Sequence, residues 1–205
     1  THTYWVEAEK ELFKIHNIAY TKELSDRMNG HSLWESSLIL KQEYNLEAPH
    51  EEIYNNKIRL SESVYTDKCQ PMPGAEDLLR EIRKNGFFKT AIASGSPLNR
   101  INIIVNRFDW HKYFDHLIAV DHVNNVGKPN PDIFLHAAKV LGFNPSECLV
   151  FEDSANGVVA AKKAGMGCVG IVEPKWGVRD LSAADFLVNT LSDRKIYNIL
   201  GVDYV

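Results

Sequence analysis

The sequence predicts an α/β protein in which a doubly wound parallel sheet carries an all-helical cap. Residues 1–70 show helical patterns of apolar residues and no strand pattern. The pattern changes at the run Pro71-Met72-Pro73-Gly74, after which short apolar runs alternate with helical stretches. We therefore expect a helical cap domain over residues 1–70 and an α/β core over residues 71–205.

The helical patterns of the first part begin with residues 4–15, where apolar residues recur among Glu and Lys. The run Ser32-Leu33-Trp34-Glu35 has the spacing of a capping box, in which a Ser opens a helix and a Glu follows three residues later. A further helix is predicted over residues 50–64, where the apolar positions are more loosely spaced.

In the second part, five short apolar runs have the pattern of buried strands, and helical stretches separate them. The strands are predicted at residues 90–93, 117–120, 148–151, 168–172 and 186–188, and the helices at 75–84, 97–108, 131–141 and 156–164. Strands that alternate with helices build parallel sheets, and right-handed crossovers place the helices on both faces. Ligands of such sheets bind beyond the carboxyl ends of the strands, so the candidate site lies on the loops after Ala93, Val120 and Phe151.

The composition restricts the classes of function. The 205 residues are 44% hydrophobic and 24% charged, with a formal net charge of −4, which argues against nucleic acid and anionic membranes as partners. The apolar runs are shorter than the roughly 20 residues of a membrane span, and no signal-peptide pattern opens the sequence. The cysteines Cys69, Cys148 and Cys168 lack metal-site spacing. We expect a monomeric cytoplasmic protein with reduced thiols.

The loop after the first strand, Ser94-Gly95-Ser96-Pro97, is suited to an anion. The Ser94 hydroxyl can donate a hydrogen bond, and the helix start that follows offers free backbone N–H groups. A structural interpretation competes with this one, because Ser96 as N-cap and Pro97 as the first helical residue are also ordinary helix-start chemistry.

The loop after the second strand holds Lys128 between two prolines in the run Gly127-Lys128-Pro129-Asn130-Pro131. The prolines leave the backbone little freedom, and the compact ammonium of a lysine suits a phosphate or carboxylate partner. The competing interpretation is a solvated surface lysine, which is the usual state of a lysine in a loop.

Two acidic residues, Glu152 and Asp153, follow the apolar run Leu149-Val150-Phe151. Adjacent carboxylates at the end of a buried strand repel each other and lose hydration, so a positive group should lie near them. Mg²⁺ takes one or two carboxylates together with phosphate oxygens and is the predicted partner, while capping of the next helix by Ser154 is the competing interpretation. A hydroxyl, an ammonium and two acids around one crevice are the set that phosphoryl transfer requires.

The order of these motifs resembles the haloacid dehalogenase-like superfamily. Ser94, then Gly127-Lys128-Pro129-Asn130-Pro131, then Phe151-Glu152-Asp153-Ser154 are similar to its second, third and fourth motifs. Their spacing and the Met72-Pro73-Gly74 run resemble the branch with a helical cap, which includes pseudouridine-phosphate and deoxysugar-phosphate phosphatases and beta-phosphoglucomutase. The resemblance implies a Rossmann-like core and a Mg²⁺-dependent phosphatase. Its substrate would be a small phosphorylated metabolite, a sugar or nucleoside phosphate, and it would form an aspartyl-phosphate.

The resemblance also implies roles for individual residues. Ser94 would hydrogen-bond the transferring phosphoryl group, the backbone around Gly95 and Ser96 would cradle it, and Lys128 would neutralise its charge. Ser94 and Lys128 are therefore the predicted catalytic residues.

The resemblance further assigns Glu152 and Asp153 to the binding of Mg²⁺. The cap would close over the crevice and select the substrate, with Gly30, His31 and Ser32 on the loop that contacts it.

The first motif of the superfamily is an Asp-x-Asp whose first Asp attacks phosphorus, and no Asp-x-Asp occurs in these 205 residues. The run Thr1-His2-Thr3-Tyr4 resembles the residues that follow that motif. In the superfamily its strand lies between the strands that here end at Ser94 and Phe151. We therefore expect a slot with unpaired backbone groups at that place and a further N-terminal strand in the complete protein.

Two other functions stay open. The mutase of the superfamily keeps an arginine after a Gly-x-Ser on the cap, and this sequence has Leu33 there, which disfavours a sugar-phosphate mutase. A non-catalytic protein that binds phosphate or a partner is favoured by the missing nucleophile and disfavoured by the intact Lys128 and Glu152-Asp153.

Overall fold

The structure is a computed structural model that describes residues 2–28, 31–172 and 179–204. Gly30, which belongs to the predicted substrate-contacting loop, lies outside the described residues. In these three ranges, no helix is long and apolar enough to cross a membrane. The cysteines are free thiols, and Cys168 is buried.

The helical region, as we call residues 2–28 and 31–68, is built from amphipathic helices around a core of its own. Its elements are α1 (His2–Ile15), α2 (Lys22–Met28), α3 (Leu33–Glu43), α4 (His50–Ser63) and the π-helix Val64–Lys68. The apolar faces meet in a cluster whose most buried members are at most 1% exposed: Leu12, Phe13, Leu24, Leu40 and Ile53. The prediction of a helical N-terminal part is confirmed, and α2 was not predicted.

The start of α3 follows the predicted capping box. The Ser32 hydroxyl accepts a hydrogen bond from the Glu35 backbone N–H at 3.1 Å, and the Glu35 carboxylate accepts one from the Ser32 N–H at 3.1 Å. Without these bonds, the N–H groups of Ser32 and Glu35 would lack acceptors, as N–H groups in the first turn of a helix do. The reciprocal pairing therefore fixes where the helix begins.

The α/β region, residues 71–172 and 179–204, contains the five predicted strands. Its elements are α5 (Ala75–Asn85), β1 (Ala91–Ser94), α6 (Leu98–Arg107), β2 (His116–Ala119), α7 (Asp132–Leu141), β3 (Leu149–Glu152), α8 (Ala155–Lys163), β4 (Gly167–Ile171), β5 (Phe186–Val188) and α9 (Arg194–Leu200). The helix α9 was not predicted. The other elements lie within a few residues of their predicted positions.

Side chains of neighbouring strand residues pack on opposite faces, which explains why the helices lie on both sides. On β4, Cys168 joins a core with Ile133 of α7 and Val158 of α8. The next residue, Val169, joins a second core with residues of α5 and α9. Successive residues of a strand point to opposite faces, so the two cores are the two sides of a doubly wound sheet, as predicted.

All strand pairs are parallel, but they form two sheets. β1 pairs with β2, and β3, β4 and β5 pair in that order. Within the described residues, β1 and β3 are not paired with each other. An apolar cavity of about 740 Å³ separates them, with Ala91 and Ala93 of β1 and Val150 of β3 in its wall. We call this cavity the slot, and it lies where the resemblance predicts one further strand.

Candidate active site

The carboxyl ends of β1 and β3 face the helical region across a second cavity, of about 590 Å³. Predicted site residues in its wall are His31, Gly95, Ser96, Lys128, Glu152 and Asp153. Ser94 and Ser32 do not line it, although each is next in the chain to a residue that does. The cavity therefore gathers the predicted loops, together with residues of α1 and α4 that the sequence analysis did not single out.

Ser94 is the last residue of β1 and shapes the loop that follows it. Its hydroxyl accepts a hydrogen bond from the Ser96 N–H at 3.1 Å, which bends the chain so that Gly95 and Ser96 line the cavity. The Ser96 hydroxyl lies 2.9 Å from the hydroxyl of Tyr65 in the helical region. Burial raises the pKa of Tyr65 to about 12, so this contact is between neutral hydroxyls.

The competing interpretation of Ser96 as a helix N-cap is wrong. Helix α6 begins at Leu98, and Pro97 occupies the N-cap position. The carboxylate of Asp121, in the short 3-10 helix Val120–Val123 that follows β2, accepts a hydrogen bond from the Leu98 N–H at 2.7 Å. A carboxylate at a helix N-terminus is a stronger acceptor than a serine hydroxyl and complements the helix dipole. The Ser96 hydroxyl is therefore not used as a helix cap, and Ser96 lines the cavity.

Lys128 is buried between the two sheets. Its ammonium forms an ion pair with Glu152 at the end of β3 and donates to the carbonyl of Ala93 on β1 at 3.4 Å. It also lies 4.7 Å from the ring centroid of Phe134, in cation–π range. Lys128 is 9% exposed, so the interpretation of a solvated surface lysine is wrong. Its ion pair with Glu152 stabilises the ammonium in this buried position.

Glu152 and Asp153 differ in their surroundings, because β3 extends one residue further than predicted. Glu152 is the last strand residue, paired with Gly170, so only Asp153 lies in the loop. Besides Lys128, the Glu152 carboxylate accepts the N–H groups of Asp153 at 3.2 Å and Ser154 at 3.3 Å. A buried carboxylate with these partners is satisfied within the protein.

Asp153 instead opens into the cavity, with 44% of its side chain exposed. Burial and the neighbouring charge of Glu152 raise its pKa, and Arg179 and Lys128 act in the opposite direction. Arg179 donates to the Asp153 carboxylate at 3.2 Å and to its backbone carbonyl at 2.8 Å. Asp153 is thus a carboxyl at the cavity whose cationic partner within the protein is Arg179.

Comparison with known proteins identifies the family of this chain. The family model of haloacid dehalogenase-like hydrolases matches residues 3–165. The chain belongs to this family. It is 33% identical over 193 residues to a probable pseudouridine-5'-phosphatase of Drosophila melanogaster, covering 92% of this chain and 83% of that protein.

Two further relatives of the haloacid dehalogenase-like family define the range of similarity. A bifunctional riboflavin kinase/FMN phosphatase of Arabidopsis thaliana is 32% identical over 163 residues, which are 79% of this chain and 42% of that protein. A crystal structure of beta-phosphoglucomutase from Clostridium difficile superposes with a TM-score of 0.83 at 25% identity, over 98% of this chain and 89% of that one. The fold predicted from the sequence is therefore confirmed.

A magnesium ion, expected for a haloacid dehalogenase-like enzyme, can be tested against the residues present. No cluster of three or more potential metal-ligating side chains occurs among the residues that the structure describes. Mg²⁺ usually keeps several waters and binds through one or two carboxylates plus substrate phosphates. A single carboxylate from the described residues, that of Asp153, would therefore be sufficient. Glu152 is less suited, because its carboxylate is held by Lys128. The metal-binding role of both acids stays a prediction.

The cavity also contains polar side chains of the helical region that the sequence analysis missed. Lys57 of α4 is 6% exposed, and its ammonium donates to the Ser36 hydroxyl at 2.5 Å. Desolvation lowers the pKa of Lys57, and the charge of Glu9 on α1 opposes this shift. A lysine among the polar residues of α4 is normally solvated, so no sequence signal distinguished it.

The predicted substrate-contacting loop is only partly at the cavity. His31 lines it, whereas the Ser32 side chain is fully buried in the capping box. The imidazole of His31 lies 3.8 Å from the carboxylate of Glu35. The binding roles of His31 and Ser32 stay predictions.

Proposed function

We propose that this chain carries most of a phosphatase that hydrolyses a small phosphorylated metabolite, a sugar or nucleoside phosphate. The observation that carries the proposal is the position of Lys128, whose buried ammonium lies in the cavity wall together with Gly95 and Ser96 of the loop after β1. A fixed cation and backbone N–H groups are what a transferring phosphoryl group needs for charge stabilisation.

Each part of the cavity has a separate task in this proposal. Lys128 would face the phosphoryl oxygens, held in place by Glu152. Gly95 and Ser96 would present their loop to the same oxygens, with Ser94 fixing the turn behind them. The ammonium is already desolvated and oriented, so little reorganisation would accompany the build-up of charge.

A bound Mg²⁺ would neutralise charge on the phosphoryl group, and Asp153 is the residue that would hold it. Arg179, which donates to the Asp153 carboxylate, would then have to share that carboxylate with the ion. The raised pKa of Asp153 also favours this role, because a cation bound there would stabilise the ionised form of the carboxyl.

The attacking carboxylate would come from a strand in the slot between β1 and β3. Two arguments support this inference. Glu152 and Asp153 line both the slot and the candidate active-site cavity. A residue at the end of a strand in the slot would therefore lie beside the candidate active site. Glu152 itself is committed to Lys128 and to backbone N–H groups, which makes it a poor nucleophile.

We further propose that the helical region acts as a cap over this crevice, with the boundary near residue 70. The Tyr65 contact with Ser96 joins the end of the helical region to the loop after β1. Arg107 of α6 donates to the backbone carbonyls of Asp67 at 2.6 Å and Cys69 at 2.8 Å, and so holds the chain where it leaves the helical region.

A sugar-phosphate mutase is the second candidate. The likeness of this chain in fold to beta-phosphoglucomutase favours a mutase. Against it, the cavity is lined by the apolar Leu33, at the position where a mutase would require a cation for a second phosphate. Product analysis separates the two, because a phosphatase releases free phosphate and a mutase returns an isomeric sugar phosphate.

The test is a screen of the full-length protein against sugar phosphates and nucleoside 5'-phosphates with and without Mg²⁺. We expect Mg²⁺-dependent phosphate release that falls by roughly 10²–10³-fold in Lys128→Ala. Lys163→Ala, at an exposed position on α8, is the control and should keep wild-type activity. Undiminished release by Lys128→Ala, or isomerisation without release, would contradict the proposal.

A further inference from the structure

The start of α3 contacts the loop that precedes Lys128. The Glu35 carboxylate is shared between two N–H groups: one oxygen accepts from the Gly127 N–H at 3.0 Å, the other from the Ser32 N–H at 3.1 Å. The Ser32 hydroxyl lies within 3.4 Å of the Asn125 carbonyl oxygen. One carboxylate therefore caps a helix of the helical region and at the same time binds the backbone of the α/β region.

The contact is close enough to require a glycine at position 127. A Cβ atom there would lie 2.7 Å from the backbone nitrogen of Ser32 and would also overlap the Glu35 carboxylate. Gly127 is not among the residues with positive φ, so its own backbone conformation would accept alanine. What excludes a side chain is the approach of α3.

The charge of Glu35 strengthens the contact. Desolvation raises the pKa of this carboxyl, but the nearby His31 and the hydrogen bonds from the Gly127 N–H, the Ser32 N–H and the Ser32 hydroxyl outweigh it and lower the pKa to about 2. Glu35 is therefore ionised at neutral pH, and its bond to the Gly127 N–H is charge-assisted.

We propose that Glu35 is a positioning residue that couples docking of the helical region to the placement of Lys128. Gly127 immediately precedes Lys128 in the chain, so holding the Gly127 N–H fixes the backbone from which the lysine side chain extends. When the helical region lifts away, the loop loses this anchor, and Lys128 keeps its ion pair with Glu152 on the other side. The catalytic meaning of the coupling rests on the proposed function, whereas the coupling itself does not.

The first experiment measures amide hydrogen exchange by NMR in the full chain, and it requires no enzymatic activity. Glu35→Asp keeps the charge at the helix start but is one methylene too short to bridge Ser32 and Gly127. We expect the Gly127 amide to exchange roughly tenfold faster or more in Glu35→Asp and Glu35→Ala, as for the loss of a charge-assisted hydrogen bond. Glu52→Ala is the matched control, since Glu52 has the same third helical position in α4 and is exposed.

The distribution of the effect decides between positioning and a purely local role. If Glu35 only caps α3, the amides of its first turn exchange faster in Glu35→Ala while Gly127 keeps its wild-type rate, and the proposal is overturned. Unchanged amides in β4 show that each variant is folded.

The second variant approaches the contact from the other side. Gly127→Ala leaves Glu35 intact and inserts a methyl group between the loop and Ser32. We expect it to increase exchange in the first turn of α3 as well as in the loop, although it alters no residue of the helical region. Protection of α3 equal to that of the wild type would overturn the proposal.

Kinetics then connects the coupling to the proposed reaction. In an active wild type, Glu35→Asp should lower kcat/KM for phosphate release by roughly tenfold, and Glu52→Ala should leave it unchanged. A wild type that releases no phosphate refutes the proposed function and leaves the exchange result valid. Wild-type kcat/KM in Glu35→Asp, together with fast Gly127 exchange, would overturn the link to Lys128.

Discussion

The helical region and the α/β region each bury a lysine against the same cavity, and they stabilise it differently. Lys128 of the α/β region forms an ion pair with Glu152 at the end of the neighbouring strand. Lys57 of the helical region donates to a serine hydroxyl, and desolvation lowers its pKa although the charge of Glu9 acts in the opposite direction. The sheet therefore pairs its buried ammonium with a carboxylate, whereas in the helices desolvation of the ammonium outweighs the favourable charge near it. Replacing each lysine by methionine should accordingly have effects of opposite sign.

The largest effect on stability is expected for Lys128→Met. This substitution leaves the carboxylate of Glu152 buried without its cation, which costs about 3–5 kcal/mol in the free energy of unfolding. The measurement is urea unfolding at neutral pH. The double variant Lys128→Met/Glu152→Gln removes both charges and should recover a substantial part of that loss. If the single variant is as stable as the wild type, Lys128 and Glu152 do not form the buried pair.

Phe13→Ala tests whether the helical region depends on a core of its own. Phe13 is fully buried among the helices, so the cavity left by its ring should cost about 3 kcal/mol or more. Phe87→Ala in the α/β region is the control, because Phe87 is 86% exposed and its loss should cost less than about 0.5 kcal/mol. Hydrogen exchange should show the loss of protection in α1 and α3 first, and equal loosening of β4 would contradict two separate cores.

Lys57→Met should stabilise the protein by about 1 kcal/mol at neutral pH, because it replaces an incompletely compensated buried charge by an apolar chain of similar length. The pKa of Lys57 is lowered on folding, so the unfolded chain binds the proton more tightly. The cost of burying the ammonium is therefore complete below the folded pKa and decreases as the pH rises toward the ordinary value of 10.5. The free energy of unfolding, measured at neutral and at alkaline pH, should show that Lys57→Met exceeds the wild type by less at the higher pH. A difference that grows with pH would contradict this prediction.

The smallest effect is expected for Tyr65→Phe, which removes the hydroxyl that contacts Ser96. A neutral hydrogen bond of this kind contributes about 0.5–1.5 kcal/mol. Differential scanning calorimetry should detect a correspondingly small decrease in Tm. Tyr54→Phe, a substitution on the neighbouring helix α4, is a comparison variant, and an equal decrease in both would mean that the Ser96 contact contributes nothing specific.

The two regions also differ in how much the sequence revealed. In the α/β region the order of strands and helices alone directed attention to the loops at Ser94, Lys128 and Asp153, because parallel strands gather their carboxyl ends at one edge. The chain order could not reveal that Glu152 would turn back to Lys128, since that depends on one residue of strand register.

In the helical region the sequence revealed the helix starts but not the cavity wall. The capping box at Ser32 and Glu35 was readable because its contacts are local. The second contact of Glu35, with Gly127, spans 92 residues, and the burial of Lys57 depends on how α4 packs. Helix packing is set by many weak contacts among side chains, so neither feature has a short sequence pattern.

The most direct test of the account is ³¹P NMR of the full-length protein with a sugar phosphate or nucleoside 5'-phosphate that the screen selects, in the presence of Mg²⁺. The account predicts that the phosphate ester signal is replaced by inorganic phosphate, and that Lys128→Ala slows this conversion by roughly 10²–10³-fold. A new phosphate ester signal without inorganic phosphate, or a substrate signal that broadens on binding and never decreases, would contradict it.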